Sequence, residues 1–339
     1  MKASEIRESY KLMHIPGMIS LSSGSPDPAL YPTEQMKQAA IAVFEEAGQT
    51  AMAYGETDGY VPLREKIVDK MIKKANVKCD INNILIVSGS QQALEFSAKI
   101  FINEGDTIAC ETPSYMGAFN AFNPYKPNYA SVPTDKDGML PDELDKILSE
   151  NDRVKLIYVI PNFQNPTGHT WSLERRKAFM ETVNKYEIPV LEDDPYGELI
   201  FEGEPLPSLK SMDTKGLVIY AGSFSKILAP GYRIGWICAS QRIVEKYMFA
   251  KQGADLQATT SAQMEINQFM EMFDLDEHVK KIRACYKHKR DIMLKAMDEN
   301  FPNCVRWEKP AGGLFIWVTL PEGIDSKDIL KVWKTRLCL

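Results

Sequence analysis

Short apolar runs rich in β-branched residues alternate with segments of helical period from about residue 61 to residue 240 of this chain. Such alternation predicts βα units that assemble into a parallel sheet with helices packed against it. Strands are predicted over 84–87, 107–110, 155–160, 188–191, 217–220 and 234–239, and helices over 61–74 and 91–101. Because such sheets bind ligands at the carboxyl ends of their strands, polar motifs that directly follow a strand are the candidate site residues.

Composition narrows the class of protein. The 339 residues are 44% hydrophobic and 25% charged, which fits a globular enzyme large enough for two domains. A net charge of −6 without a dense Lys/Arg tract argues against a nucleic-acid or anionic membrane surface, so small-molecule partners are favoured. The mixed charges of the first residues predict no signal or transit peptide and hence a cytoplasmic protein. The six scattered cysteines predict free thiols, and the four histidines fit no short metal-ligand pattern, so no metal site is expected.

The most informative motif is Ser223-Phe224-Ser225-Lys226, which is followed seven positions after the lysine by Arg233. A lysine amine can form a Schiff base with an aldehyde. The hydroxyls and the guanidinium beside it can bind the phosphate of that same aldehyde. The motif therefore indicates pyridoxal 5'-phosphate (PLP) as the cofactor.

An acidic run, Glu192 to Asp194, ends another predicted strand and is followed by Tyr196. A carboxylate beside a pyridine nitrogen keeps that nitrogen protonated, and the cationic ring then accepts electrons from an adjacent carbanion. Without the lysine motif, the same run would be read as a cluster of acids that caps a turn.

Three weaker motifs follow other predicted strands. Ser88 to Gln92 combines a glycine with a helix start, where an anion fits, although an ordinary N-cap by Ser90 gives the same pattern. Tyr115 lies at a strand-to-helix junction, where its ring can cover a flat cofactor or simply pack. The turn from Pro161 to Gly168 carries amides that can donate to a phenolate, or it is a plain loop.

Together these motifs resemble the fold-type I pyridoxal phosphate enzymes, specifically class I aminotransferases near the kynurenine/2-aminoadipate aminotransferase branch. The resemblance extends from about residue 19 to residue 319, and six motifs occur in the order that such proteins show. They are residues 19–24, residues 54–60, the Ser90-Gln91 turn, residues 165–168, residues 193–196 and the lysine motif.

The resemblance implies an α/β fold of two domains. A large PLP-binding domain, with a mainly parallel seven-stranded sheet flanked by helices, is expected over 31–272. A smaller and here incomplete α/β domain is expected over 273–339, and residues 1–30 are expected to form an N-terminal arm that belongs to the small domain. Within the part of the small domain at 273–339, the sequence predicts a long helix over 278–297, followed by an apolar strand near 314–320.

The resemblance also implies a role for each matching residue. Lys226 is similar to the Schiff-base lysine, Asp193 to the partner of the pyridine nitrogen and Tyr115 to the aromatic stacked on the ring, and these three form the expected catalytic set. Asn165 and Tyr196 match the groups that hydrogen-bond the phenolic oxygen of the ring. The residues that match the phosphate-binding groups are Ser90, the backbone of Gln91, Ser223, Ser225 and Arg233.

Two further positions concern the substrate and the partner subunit. Gly24 matches a position whose backbone lies close to the substrate carboxylate, where a glycine avoids a clash, and Asn165 is expected beside the substrate as well. Tyr54 resembles a tyrosine that reaches the phosphate of the neighbouring subunit's cofactor. The resemblance therefore implies a homodimer.

The reaction implied is the transfer of an amino group from an amino acid to a 2-oxo acid through an aldimine between Lys226 and PLP. The released Lys226 amine moves a proton at the α-carbon of the substrate, while Asp193 keeps the ring cationic. In such enzymes the second domain continues beyond the region near 326–333, whereas this chain stops at Leu339. An arginine that grips the substrate carboxylate would lie beyond that point, and Arg336 is not expected to replace it.

These observations leave alternatives open. A truncated aminotransferase would keep a complete cofactor site but an incomplete substrate site, and would bind PLP with impaired or no turnover. A PLP-dependent β-lyase or decarboxylase of the same fold shares nearly all of the motifs. The aminotransferase-like half of a transcriptional regulator would need a preceding DNA-binding domain, and only about 30 residues precede the enzyme-like region, too few for a domain.

Overall fold

The computed structural model describes residue 21 and residues 24–329. Within these residues the helices are α1 (Thr33–Met52), α2 (Val61–Ala75), α3 (Ser90–Phe101), α4 (Met116–Phe122), α5 (Pro141–Glu150), α6 (Leu173–Tyr186), α7 (Gln241–Gln252), α8 (Thr260–Met272) and α9 (Leu275–Asn300). The strands are β1 (Ile84–Val87), β2 (Thr107–Thr112), β3 (Asn128–Asp135), β4 (Gly138–Met139), β5 (Val154–Val159), β6 (Val190–Asp193), β7 (Val218–Ser223), β8 (Gly235–Cys238), β9 (Arg306–Trp307) and β10 (Val318–Thr319). Much of the expected N-terminal arm, together with Arg336 and Cys338, lies outside the described residues.

A mixed eight-stranded sheet forms the centre of the fold, in the order β1-β8-β7-β6-β5-β2-β3-β4. The pairs β3·β2, β2·β5, β5·β6 and β6·β7 are parallel, whereas β8 runs antiparallel to both β7 and β1. The α/β fold with a mostly parallel sheet is therefore confirmed. Its helices α3, α7 and α8 supply buried side chains to the same core as the strands.

The central strands are buried on both faces, as parallel strands usually are. Side chains alternate between two apolar clusters: Tyr158 and Leu191 belong to one, and Ile157 and Val190 to the other. This double burial explains why β1, β5 and β7 are mostly apolar in the sequence, whereas β6 begins with Val190 and Leu191 and ends with two acids. All six predicted strands are present, with ends that differ from the prediction by at most three residues.

The structure corrects the prediction at three places. Eight strands replace the expected seven, because the two-residue strand β4 pairs antiparallel with the end of β3. β3 is not among the predicted strands. Val132 is the one buried residue among the eight of this strand, so no apolar run indicates it in the sequence. The strand expected near 314–320 is also shorter, because only Val318–Thr319 pairs, and its partner is β9.

The long helix α9 ties the beginning of the described chain to its end. The Asp274 side chain caps its first turn by accepting from two backbone N–H groups. Further along α9, the Tyr286 hydroxyl accepts from the backbone N–H of Asp27 at 2.9 Å, and Arg290 donates to the carbonyl of Pro310 at 2.7 Å. Over the described residues, every helix is too short or too polar to pass through a bilayer.

Candidate active site

Lys226 lies three residues beyond the carboxyl end of β7, as a ligand site in this type of sheet requires. Its Nζ donates to the carbonyl oxygen of Gly24 at 2.9 Å and lies 5.9 Å from the centre of the Tyr196 ring. Burial, aided by the positive charge of Arg233, lowers the pKa of Lys226 to about 8. A substantial share of this amine is therefore neutral near physiological pH and able to act as a nucleophile.

The two serines of the lysine motif and Arg233 contact one another. The Ser223 hydroxyl donates to Ser225 Oγ at 2.9 Å and also accepts from the backbone N–H of Ser225 at 3.0 Å. Arg233 Nη1 donates to Ser225 Oγ at 3.3 Å, and Nη2 donates to the carbonyl of Ser88 at 3.4 Å. Arg233 remains exposed, so its guanidinium is accessible to an anion.

The amino end of α3 completes this arrangement. Its N-cap is Gly89, not Ser90, and no side chain caps the end of the helix. A Cβ at Gly89 would lie 2.9 Å from Arg233 Cζ and closer still to Nη2, so only a glycine lets the guanidinium approach the helix terminus. A helix N-terminus, a guanidinium and two hydroxyls at one point fit a phosphate group.

Asp193, the last residue of β6, is 2% exposed and carries an unsatisfied atom. Its Oδ2 accepts from the Tyr158 hydroxyl at 3.0 Å, whereas the buried Oδ1 has no hydrogen-bond partner. Burial raises the pKa of Asp193 to about 7. A buried carboxylate oxygen without a donor is costly, and a protonated ring nitrogen would satisfy it. The donor set at the strand ends therefore fits pyridoxal phosphate.

The neighbouring acids have different surroundings, which the sequence did not resolve. Asp194 Oδ2 accepts from the Tyr220 hydroxyl at 2.9 Å, and its Oδ1 accepts from the backbone N–H of Gly197 at 2.9 Å. Glu192 is fully buried and accepts from the backbone N–H groups of Leu209 and Lys210, each at 2.8 Å. Among the three acids, Asp193 alone has an unpartnered oxygen.

The aromatic residues of the predicted site are held by close packing. The Tyr115 ring lies over Gly117, where a Cβ would come within 2.6 Å of Tyr115 Cε1, and Gln91 Nε2 donates to the Gly117 carbonyl at 2.8 Å. The Tyr196 ring is 5% exposed and meets Phe315 edge-on at 5.6 Å between centroids.

Gly24, whose carbonyl receives the Lys226 amine, has a left-handed φ of 57°. A Cβ there would lie 2.8 Å from Phe315 Cε1, so a larger residue would press on the ring that packs against Tyr196. The structure thus brings Gly24, Tyr196 and Lys226 together.

Asn165 lies in the turn that follows β5, and residues that the sequence reading did not select hold this turn in place. Gln164 Nε2 donates to the Pro113 carbonyl at 2.8 Å, and Gln164 Oε1 accepts from the backbone N–H and the hydroxyl of Thr167. The buried Glu111 accepts from the backbone N–H of Ile160 and from the Trp171 indole, each at 2.9 Å.

Two more buried residues were missed. Arg176 donates to the carbonyls of Trp171, Pro161 and Pro207 and to Asn162 Oδ1. Tyr158 contacts Asp193 from a strand that the sequence presents only as apolar core. No local signal marks these residues, because their partners lie 5 to 35 positions away along the chain.

Comparison with known proteins identifies the family of this chain. The family described as aminotransferase class I and II matches residues 16–335. Aromatic-amino-acid aminotransferase 1 of Thermococcus litoralis is 44% identical over 335 residues, which cover 98% of this chain and 80% of the relative. The 2-aminoadipate transaminase of Thermus thermophilus is 37% identical over 333 residues, which cover 97% and 82%. The crystal structure of Pyrococcus horikoshii kynurenine aminotransferase, in complex with PMP, superposes with a TM-score of 0.93 at 42% identity, covering 98% of this chain and 83% of that one.

Proposed function

The chain belongs to the class I and II aminotransferases and is a PLP-dependent aminotransferase, and we propose that Lys226 and Asp193 carry its reaction. The observation on which this assignment rests is that Asp193 Oδ1 is buried and has no hydrogen-bond partner. Asp193 is the last residue of β6, and β6 pairs in parallel with β7, the strand that leads to Lys226. The lowered pKa of Lys226 supports the same assignment.

The cofactor would be held at both of its ends. When bound, it supplies an aldehyde for the amino groups of lysine and substrate, and a ring that accepts electrons. Asp193 Oδ1 would accept from the ring nitrogen, and Tyr115 would cover a face of the ring. Asn165 and Tyr196 would donate to its phenolic oxygen. The phosphate would be bound by the side chains of Ser90, Ser223, Ser225 and Arg233 and by the backbone of Gln91.

Lys226 has two tasks in this assignment. Its amine would hold the cofactor covalently. Once the substrate amine had displaced it, the free Lys226 amine would take the proton from the substrate α-carbon and donate it to the carbon that had been the aldehyde of the cofactor. Because burial lowers its pKa to about 8, the amine can release and accept a proton near neutral pH. Such proton transfer typically contributes about 10²–10⁴-fold to a rate.

For the substrates, we propose an amino donor with an aromatic or a 2-aminoadipate-like side chain and a 2-oxo acid as acceptor. The names of the two relatives, at 44% and 37% identity, support this class. The substrate carboxylate would lie near the backbone of Gly24 and the amide of Asn165. Gly24 suits that place because its lack of a side chain leaves room beside Phe315.

We further propose a cytoplasmic homodimer. Tyr54 is 87% exposed and the nearby Met52 is 75% exposed, which is unusual for large apolar side chains unless another copy covers them. Tyr54 would then reach the phosphate in the partner's site. The described cysteines are free, as expected in a reducing compartment. For the domains, we propose an arm at 1–30, a large domain at 31–272 and a small domain at 273–339, whose boundary falls between α8 and α9.

An absorbance titration tests the function. The purified protein, loaded with PLP, is mixed with single amino acids and no acceptor, and its spectrum is followed while the released products are identified. We expect aromatic or aminoadipate-like donors to convert the cofactor and release their 2-oxo acids. Lys226→Ala, as control, should release no 2-oxo acid. Release of ammonia and pyruvate would assign a lyase instead, and an unchanged spectrum with every donor would contradict the proposed substrates.

A further inference from the structure

We propose that Tyr158 is a positioning residue of the transamination reaction: its hydroxyl binds one oxygen of Asp193 and so directs the other oxygen toward the ring nitrogen of the cofactor. The inference rests on the proposed role of Asp193. It adds a residue on a neighbouring strand that would touch neither substrate nor cofactor.

The register of the sheet explains why this tyrosine can reach the carboxylate. Tyr158 of β5 is paired with Leu191 of β6, and Asp193 follows two positions later, so all three side chains lie on one face. Diagonal neighbours of this kind are roughly 7–8 Å apart at their Cα atoms, within reach of a tyrosine side chain. The hydroxyl and Asp193 Oδ2 are 3.0 Å apart.

Packing fixes the direction of the bond. Tyr158 is 0% exposed, and its ring meets Phe122 edge-on at 5.5 Å between centroids. A carboxyl group with one oxygen bound to an immobile donor has a defined orientation, and its other oxygen, Oδ1, is the atom left without a partner. The cofactor nitrogen would therefore meet an acceptor that is already in place, at little cost in side-chain entropy.

The bond also favours the charged form of the acid. Burial raises the pKa of Asp193 and the negative Asp194 adds to this, whereas the Tyr158 hydroxyl lowers it. Burial, together with the charge and the hydrogen bond of Asp193, raises the pKa of Tyr158 well above its usual value, so its hydroxyl stays protonated and remains a donor. Without the hydroxyl, Asp193 would more readily be protonated and would hold the ring nitrogen less tightly.

The experiment compares two cofactors in Tyr158→Phe. Cofactor-free protein is titrated with PLP and with its deaza analogue, in which carbon replaces the ring nitrogen, and the ratio of the two dissociation constants is taken. Tyr220→Phe is the matched control, because it removes another buried hydroxyl from the neighbouring Asp194. Folding of each variant is checked by thermal unfolding.

We expect the preference for PLP over the deaza analogue to fall about tenfold in Tyr158→Phe, since a lost hydrogen bond to a charged group is typically of this size. It should not change in Tyr220→Phe. In the loaded enzyme, kcat should fall with little change in KM for the amino donor. Equal weakening of both cofactors by Tyr158→Phe would mean a merely structural role and would overturn the inference.

A second variant moves the ratio the other way. Placing 3,5-difluorotyrosine at position 158 keeps the size of the side chain and strengthens the hydroxyl as a donor, so the preference for PLP should rise. A preference equal to that of wild type would count against the inference, even where Tyr158→Phe does not fold. If wild type itself binds both cofactors equally, the proposed role of Asp193 fails first.

Discussion

The substitution Gly89→Ala tests the proposed phosphate site by adding a single carbon atom, the alanine Cβ, beside the Arg233 guanidinium. Gly89 has φ 74° and ψ 167°, a conformation that is essentially restricted to glycine. An added Cβ would lie 2.9 Å from Arg233 Cζ and closer to Nη2, so the guanidinium must move away from the amino end of α3. The substitution therefore acts on the arginine without removing any charge.

The size of the effect follows from these contacts. Backbone strain of this kind costs about 1–3 kcal/mol and falls mainly on the stability of the fold. Losing a hydrogen bond between Arg233 and a phosphate costs about 1.5–3 kcal/mol. Because each 1.4 kcal/mol corresponds to about tenfold in affinity, PLP should bind about 10- to 100-fold more weakly.

The assay is a titration of cofactor-free protein with PLP and with pyridoxal, which lacks the phosphate. We expect Gly89→Ala to weaken PLP and to leave pyridoxal almost unchanged. Gly231→Ala is the control from the arginine's own loop, since nothing lies within 4 Å of a Cβ placed there. Wild-type affinity for PLP in Gly89→Ala, or equal weakening of both ligands, would refute the reasoning.

Three other predictions concern the amine, the acid and the dimer. Only the neutral amine attacks an aldehyde, and the pKa of Lys226 is lowered to about 8. The rate of covalent PLP capture, followed by stopped-flow absorbance, should therefore rise through pH 8 and then level off. A rate that continues to rise toward pH 10.5 would contradict this prediction. Burial raises the pKa of Asp193 from 3.8 to about 7, so the protonated acid stabilises the folded state at low pH, and this stabilisation is lost as the pH rises through that window. Cofactor-free Asp193→Asn should therefore gain stability relative to wild type between pH 4 and 7 in denaturant titrations. A constant difference in stability would mean that the acid is not buried. Mixing Tyr54→Ala with Lys226→Ala chains should restore activity that neither variant has alone, because one mixed site keeps both side chains; no gain on mixing would remove Tyr54 from the partner's site.

Much of this fold is predictable from the sequence because most strands of its main sheet, including the edge strand β1, are buried. Runs such as Ile84–Val87 leave no polar position to confuse the pattern, and the motifs at their carboxyl ends identified Lys226 and Asp193 as candidates. Strand β3 was missed for the opposite reason, since only Val132 of its eight residues is buried.

The supporting residues of the site were harder to predict than its reactive ones. The run Glu192 to Asp194 offers three acids in a row, and their separate tasks follow from partners on other strands. Tyr158 appears in the sequence only as one more apolar residue of a strand. Its bond to Asp193 depends on the register of β5 against β6, which no local pattern contains.

The most direct test of the account is to reduce the PLP-loaded protein with borohydride and to map the labelled peptide by mass spectrometry. Reduction makes the bond between cofactor and lysine permanent. We predict a single label, on Lys226, and none in the Lys226→Ala variant. A label on another lysine, or a protein that acquires no label when supplied with PLP, would contradict the assignment.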